Sequence, residues 1–174
     1  MHYLSLTMSL AVVGTLFVAA LAKLATPDRL GALLGGGLRL NPVPAALAAR
    51  AVGATELAVG VALVTPPAAR IGGYGAAALG CGFFAAAVGS FLAGSDVPCG
   101  CFGASSSRPL GLPHALLGGA VSLCGVFVAT VRPATVPAPT RLALVAVALV
   151  GAALVVHSRE ITAARGRIRD AQAA

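Results

Sequence analysis

Two thiols one residue apart, in Pro98-Cys99-Gly100-Cys101-Phe102-Gly103, form the most chemically specific string in the chain. At that separation a disulfide closes only as a small strained ring, because the alpha carbons lie near the upper limit of disulfide geometry. Gly100 gives the backbone the freedom that closure needs. Strain raises the reduction potential, so such a pair tends to pass oxidising equivalents to another thiol. Two readings compete with this one: a Cu(I) or Zn site completed by His114, and a pair of inert thiols. The redox reading is adopted here, with Cys99 and Cys101 as the redox pair and no metal assigned.

Three further side chains carry potential chemistry. Glu56 stands near the middle of an apolar run, in Glu56-Leu57-Ala58-Val59-Gly60. A carboxylate at that depth costs on the order of 2.5–3.5 kcal/mol on insertion scales, so it is expected to be protonated or paired inside a bundle. Arg50, six residues away and about 120° around a helix, is not at an ion-pair spacing. Lys23 or His114, from another helix, is the better partner. Glu56 then reads either as a proton- or quinone-linked group or as one end of an interhelical hydrogen bond. His114 is a candidate base toward Cys99 or Cys101, although a lone interfacial histidine is more often simply solvated. Cys81 and Cys124 fall near mid-membrane, either facing each other as a second pair or serving as small hydrophobes.

The elements that must position these groups follow from composition. Of 174 residues, 58% are hydrophobic and 10% charged, and glycine adds a further 22 residues. A soluble domain carries about 25% charged residues, and no fold of this length buries so much apolar surface in water. A soluble enzyme, a disordered tail and a nucleic-acid module are excluded. Five apolar runs, 4–24, 45–64, 71–93, 112–131 and 142–157, approach the roughly 20 residues of a spanning helix. Barrel alternation is absent, so the spans are helices. The first run lacks a basic n-region and is long for a signal peptide, so it is expected to remain as a helix. A short amphipathic turn is expected around 30–34, a tight turn at Thr65-Pro66-Pro67, and a polar tail after His157. Span three carries small residues four apart, Gly73, Ala77, Cys81, Ala85 and Gly89, a row suited to close helix packing within the bundle or, less expectedly, to a dimer face.

With five spans, the ends alternate sides. Nine of the twelve Lys and Arg residues then share one membrane face with Cys99 and Cys101, while Arg70, Arg132 and Arg141 take the other. The positive-inside rule makes the basic face cytoplasmic. The competing reading assigns some of those bases to lowering thiol pKa values.

Ala22-Lys23-Leu24, the run from Glu56 to Leu63, and the Cys99-Gly100-Cys101-Phe102-Gly103 link, in that order, resemble the MauE/DoxX family of redox-associated membrane proteins, MauE being its methylamine-utilisation member. The resemblance covers residues 4–131. It implies a small helical bundle in the cell membrane that works with a thioredoxin-like partner in forming or maturing disulfides outside the cytoplasm. It also implies that Cys99 and Cys101 are the redox pair, with Lys23 and Glu56 as family-typical polar positions. Pro113-His114-Ala115 departs from the Arg-Asn pair often found there, which puts a charged role for helix four in doubt. The expected protein is therefore an all-α polytopic membrane bundle: a four-helix core over 1–131, a connector and fifth spanning helix over 132–157, and a basic tail over 158–174. A quinone is the cofactor considered. The rival functions are a non-enzymatic scaffold for a redox partner and a metal- or small-molecule-handling membrane protein.

Overall fold

A computed structural model describes residues 2–28, 30–31, 41–94, 111–131 and 137–173. The helices are α1 (His2–Ala25), α2 (Pro42–Val64), α3 (Ala69–Leu92), α4 (Leu112–Thr130) and α5 (Ala138–Ala173), with a single 3-10 turn, Pro66–Ala68, between α2 and α3. No strand occurs among the described residues. α1 to α4 are each long and apolar enough to cross a membrane, whereas α5 carries a shorter apolar stretch, Val145–Val155. Part of the 30–34 turn is described: Leu30 and Gly31 are helical, and the remainder of that reading lies outside the described residues.

Local chemistry sets the boundaries. Prolines stand in the first turns of α2 and α4, where the missing N–H costs nothing. Thr65 precedes Pro66, which holds it extended at φ −96° and ψ 114° and stops α2. α3 closes on Gly94, whose φ of 60° lies in the left-handed region that lets its N–H reach the Phe91 carbonyl.

The core forms where α1 is enclosed. Val12, Val13, Leu16 and Phe17 of α1 meet Leu63, Ala76, Val121 and Val128. Large apolar side chains also cover the outside, as with Ile71, Leu116 and Leu123, each more than 60% exposed. That inversion suits hydrocarbon rather than water as the surrounding medium.

Helix packing then runs on small residues. α3 and α4 share the most extensive contact. A Cβ on Gly80 would lie 2.5 Å from the Ser122 nitrogen, and one on Gly125 would lie 2.6 Å from the Ala77 nitrogen. Gly73 and Gly118 are equally tight against the opposing backbone. The seam is thus built from Gly73 and Gly80 facing Gly118 and Gly125, seven residues apart on each helix. This corrects part of the four-residue row expected from sequence: Gly73 and Ala77 face α4 as expected, but Ala85 and Gly89 are exposed and Gly80 is buried in the seam instead. A four-residue step overshoots a helical turn by about 40°, so that row winds off the interface, whereas a seven-residue step drifts only about 20°.

α1 and α2 run antiparallel, as do α2 and α3, through contacts of Gly53 with Ala20, Gly60 with Phe17, and Gly72 with Leu63. Lys23, Arg50, Gly94 and Gly111 therefore lie toward one end of the bundle. α5 lies against α1 and touches α2. It continues without a break to Ala173, so the segment after His157, expected as a tail, is helical.

Candidate functional site

Lys23 stands in the last turn of α1 and Glu56 lies past the middle of α2. Between them the two helices approach closely at Gly53, where an added Cβ would sit 3.1 Å from the Ala20 carbonyl oxygen and 3.2 Å from the Lys23 Cβ. That approach brings the ammonium onto the carboxylate. Lys23 Nζ donates to Glu56 Oε1 at 2.6 Å and to Oε2 at 2.9 Å. Both side chains are fully enclosed. Nζ also lies 3.5 Å from the Ala19 carbonyl oxygen and 5.1 Å from the centroid of the Phe83 ring, a cation–π distance.

Pairing resolves the cost of the mid-span carboxylate. Each charge alone would be expensive in the hydrocarbon, but together they present no net charge, and both Glu56 oxygens are satisfied. Of the two partners expected from sequence, Lys23 meets Glu56. Arg50 is exposed, as its position around the helix requires.

Lys23 also lines a cavity of about 540 Å³ formed by residues of α1, α2, α3 and α4 together with Leu30. From α3 come Gly75, Ala78, Gly82 and Ala86, spaced three and four residues apart on one face, together with Phe83. His114 contributes from the first turn of α4. Its Nδ1 is buried and, among the described residues, has no hydrogen-bond partner. The other polar side chains of the wall are Thr15 and Thr55, whose hydroxyls donate to the Ala11 and Ala51 carbonyls of their own helices. The cavity therefore has an apolar body. Lys23, Phe83, Ala86 and His114 stand toward the end of the bundle where α3 and α4 are joined.

Lys23 and His114 thus line one cavity, and Glu56 stands behind it, joined through Lys23. Phe83 and the small face of α3 were not singled out from sequence, although the three- and four-residue spacing of 75, 78, 82 and 86 was a readable signal. Cys99 and Cys101 lie outside the described residues. They belong to the segment joining Gly94 to Gly111, and His114 follows that segment by three positions. Cys81 and Cys124 are both free thiols. Cys81 shares a 3.1 Å hydrogen bond with Ser122.

Compared with known proteins, the chain matches over residues 1–132 the family described as methylamine utilisation protein MauE. No curated protein and no solved structure matches it.

Proposed function

The chain belongs to the methylamine utilisation protein MauE family, and from that membership we propose that it is a thiol–disulfide redox protein of the cell membrane acting on a thioredoxin-like partner. The observation that carries the proposal is the Cys99-Gly100-Cys101-Phe102-Gly103 string in the segment between α3 and α4 of a membrane bundle. In this reading a partner thiolate attacks one sulfur of the Cys99–Cys101 disulfide, and the S–S bond breaks as a mixed disulfide forms. The second partner thiolate then attacks the mixed disulfide. The partner leaves oxidised, and Cys99 and Cys101 retain two electrons and two protons as a dithiol. His114, close in sequence to the pair, is the candidate base for these transfers.

Strain in so short a ring favours its opening, which suits a donor of oxidising equivalents rather than a structural bridge. The Lys23–Glu56 pair fixes α1 to α2 and holds the frame in which α3 and α4 present the segment.

The test is a trap in native membranes. With Cys101→Ser or Cys99→Ser, the remaining thiol is expected to hold the partner in a mixed disulfide that runs as a reducible adduct on a non-reducing gel. If neither variant yields an adduct and partner oxidation is unchanged in the double variant, the chain is a scaffold and the redox proposal fails. A membrane-impermeant thiol reagent applied to intact cells after mild reduction supplies the side. Labelling of Cys99 and Cys101 is expected, and protection places them in the cytoplasm and excludes oxidation of extracytoplasmic proteins.

A further inference from the structure

The dithiol left by that reaction must pass two electrons and two protons to an acceptor, and the described part of the chain contains a cavity suited to one class of acceptor. We propose that the cavity bounded by Lys23, Phe83, Gly82 and His114 is a binding site for a lipid-soluble quinone, its ring toward His114 and its tail toward the apolar half. The choice of a quinone among lipids rests on the redox reading above. The existence of the site rests on geometry alone.

Four observations support it. The cavity of about 540 Å³ lies within the range of about 300–1,000 Å³ usual for small-molecule sites, and its helices are of membrane-spanning type. A ligand entering from the bilayer is therefore mostly hydrocarbon. Part of the cavity's volume lies where α3 carries no side chain at position 82. Gly82 has nothing within 4 Å of where its Cβ would be, although it lines the cavity.

Polar recognition narrows the class. His114 Nδ1, buried and without a partner among the described residues, requires one. A neutral imidazole can donate from Nδ1 to a quinone carbonyl or, in its other tautomer, accept from a quinol hydroxyl, so one atom serves both oxidation states. A phospholipid headgroup fits poorly. The cationic Lys23 beside the cavity is already held on Glu56 by two short bonds, so the wall offers little net charge to a phosphate.

The test is equilibrium binding of decylubiquinone to the full chain in lipid nanodiscs, which needs no turnover. Saturable binding is expected. Gly82→Leu, which fills the cavity without meeting a neighbour, is expected to weaken it at least tenfold, and His114→Leu at least fivefold. Gly89→Leu on the same helix, with open space at its Cβ and outside the cavity, is expected to leave binding unchanged. Decylbenzene, which has the ring and tail but no oxygen, is expected not to compete. Competition by decylbenzene at equal concentration, displacement by phosphatidylglycerol, or unchanged binding in both Gly82→Leu and His114→Leu overturns the proposal. Cys99→Ser/Cys101→Ser is expected to retain full binding. The two proposals thus fail separately: loss of partner adducts with intact quinone binding removes the redox reading and leaves the site.

Discussion

Both carboxylate oxygens of Glu56 accept hydrogen bonds from the single ammonium of Lys23, at 2.6 and 2.9 Å, with neither side chain exposed. The two residues are 33 positions apart in the chain and close the α1–α2 interface at a depth where a lone charge is costly.

Removing one partner strands the other. Lys23→Met or Glu56→Leu is each expected to destabilise the bundle by about 3–5 kcal/mol, because an unpaired buried charge is left behind. The double variant Lys23→Met/Glu56→Leu is expected to recover most of that loss, since its groups are apolar and of similar volume. Thermal unfolding in detergent, followed by helical circular dichroism, reads the comparison. If the losses in the single variants simply add in the double, the two residues are not coupled.

The glycine seam makes a second, position-specific prediction. Gly80→Ala and Gly125→Ala push a methyl group against the facing backbone at 2.5 and 2.6 Å. Each is expected to cost about 1–3 kcal/mol, the usual penalty for overpacking a tight contact. Gly89→Ala has open space and is expected to be neutral or slightly stabilising, because alanine is the better helix former. Melting temperatures of the three variants decide it, and equal losses at 80 and 89 would contradict the seam.

Gly60 meets a side chain rather than backbone. Its Cβ would fall 2.5 Å from Cε1 of Phe17, a ring that is itself fully buried. Gly60→Ala is expected to destabilise the bundle, and Phe17→Leu in the same chain to relieve part of the loss. The coupling in that double-mutant cycle is expected to fall within about 0.5–3 kcal/mol, measured by denaturant or thermal unfolding.

The four thiols divide by chemistry. Cys81 and Cys124 are free, so N-ethylmaleimide is expected to modify both in the unreduced protein once it is denatured in sodium dodecyl sulfate, which exposes the half-buried Cys124. If Cys99 and Cys101 form the redox pair and are isolated oxidised, they take the reagent only after reduction. Intact mass therefore rises by two adducts before reduction and by four after it. Four adducts without reduction mean that the pair was isolated as a dithiol.

Much of the bundle was legible from residue type alone. Apolar runs of about 20 residues located α1 to α4, because a spanning backbone must satisfy its own hydrogen bonds. Glu56 announced a partner on another helix because no base lies at helical spacing on α2. Deciding for Lys23 over His114 required the α1–α2 register, which is set by Gly53 and Gly60 rather than by the charges themselves.

Other features depended on what is absent from the sequence. The α3 seam was only partly read: Gly73 and Ala77 lie on it as expected, but Gly80 was missed, since alanine and glycine read alike in a list of small side chains. Only glycine fits at position 80, where a Cβ would lie 2.5 Å from the Ser122 nitrogen. The cavity belongs to four helices at once and to positions with little side chain, so no local pattern signals it directly. The helical continuation of α5 through Arg159, Arg165 and Arg169 was hidden by its polarity, although its alanines and arginines are good helix formers.

Lys23 is also the only lysine in the chain, the other eleven bases being arginine. Because its ammonium is enclosed and held by Glu56, the native protein offers an amine-reactive ester no side chain to acylate. Acylation at Lys23 occurs only when α1 and α2 separate or the pair breaks. Its rate is therefore a built-in clock for bundle opening, readable by peptide mass without introducing any probe.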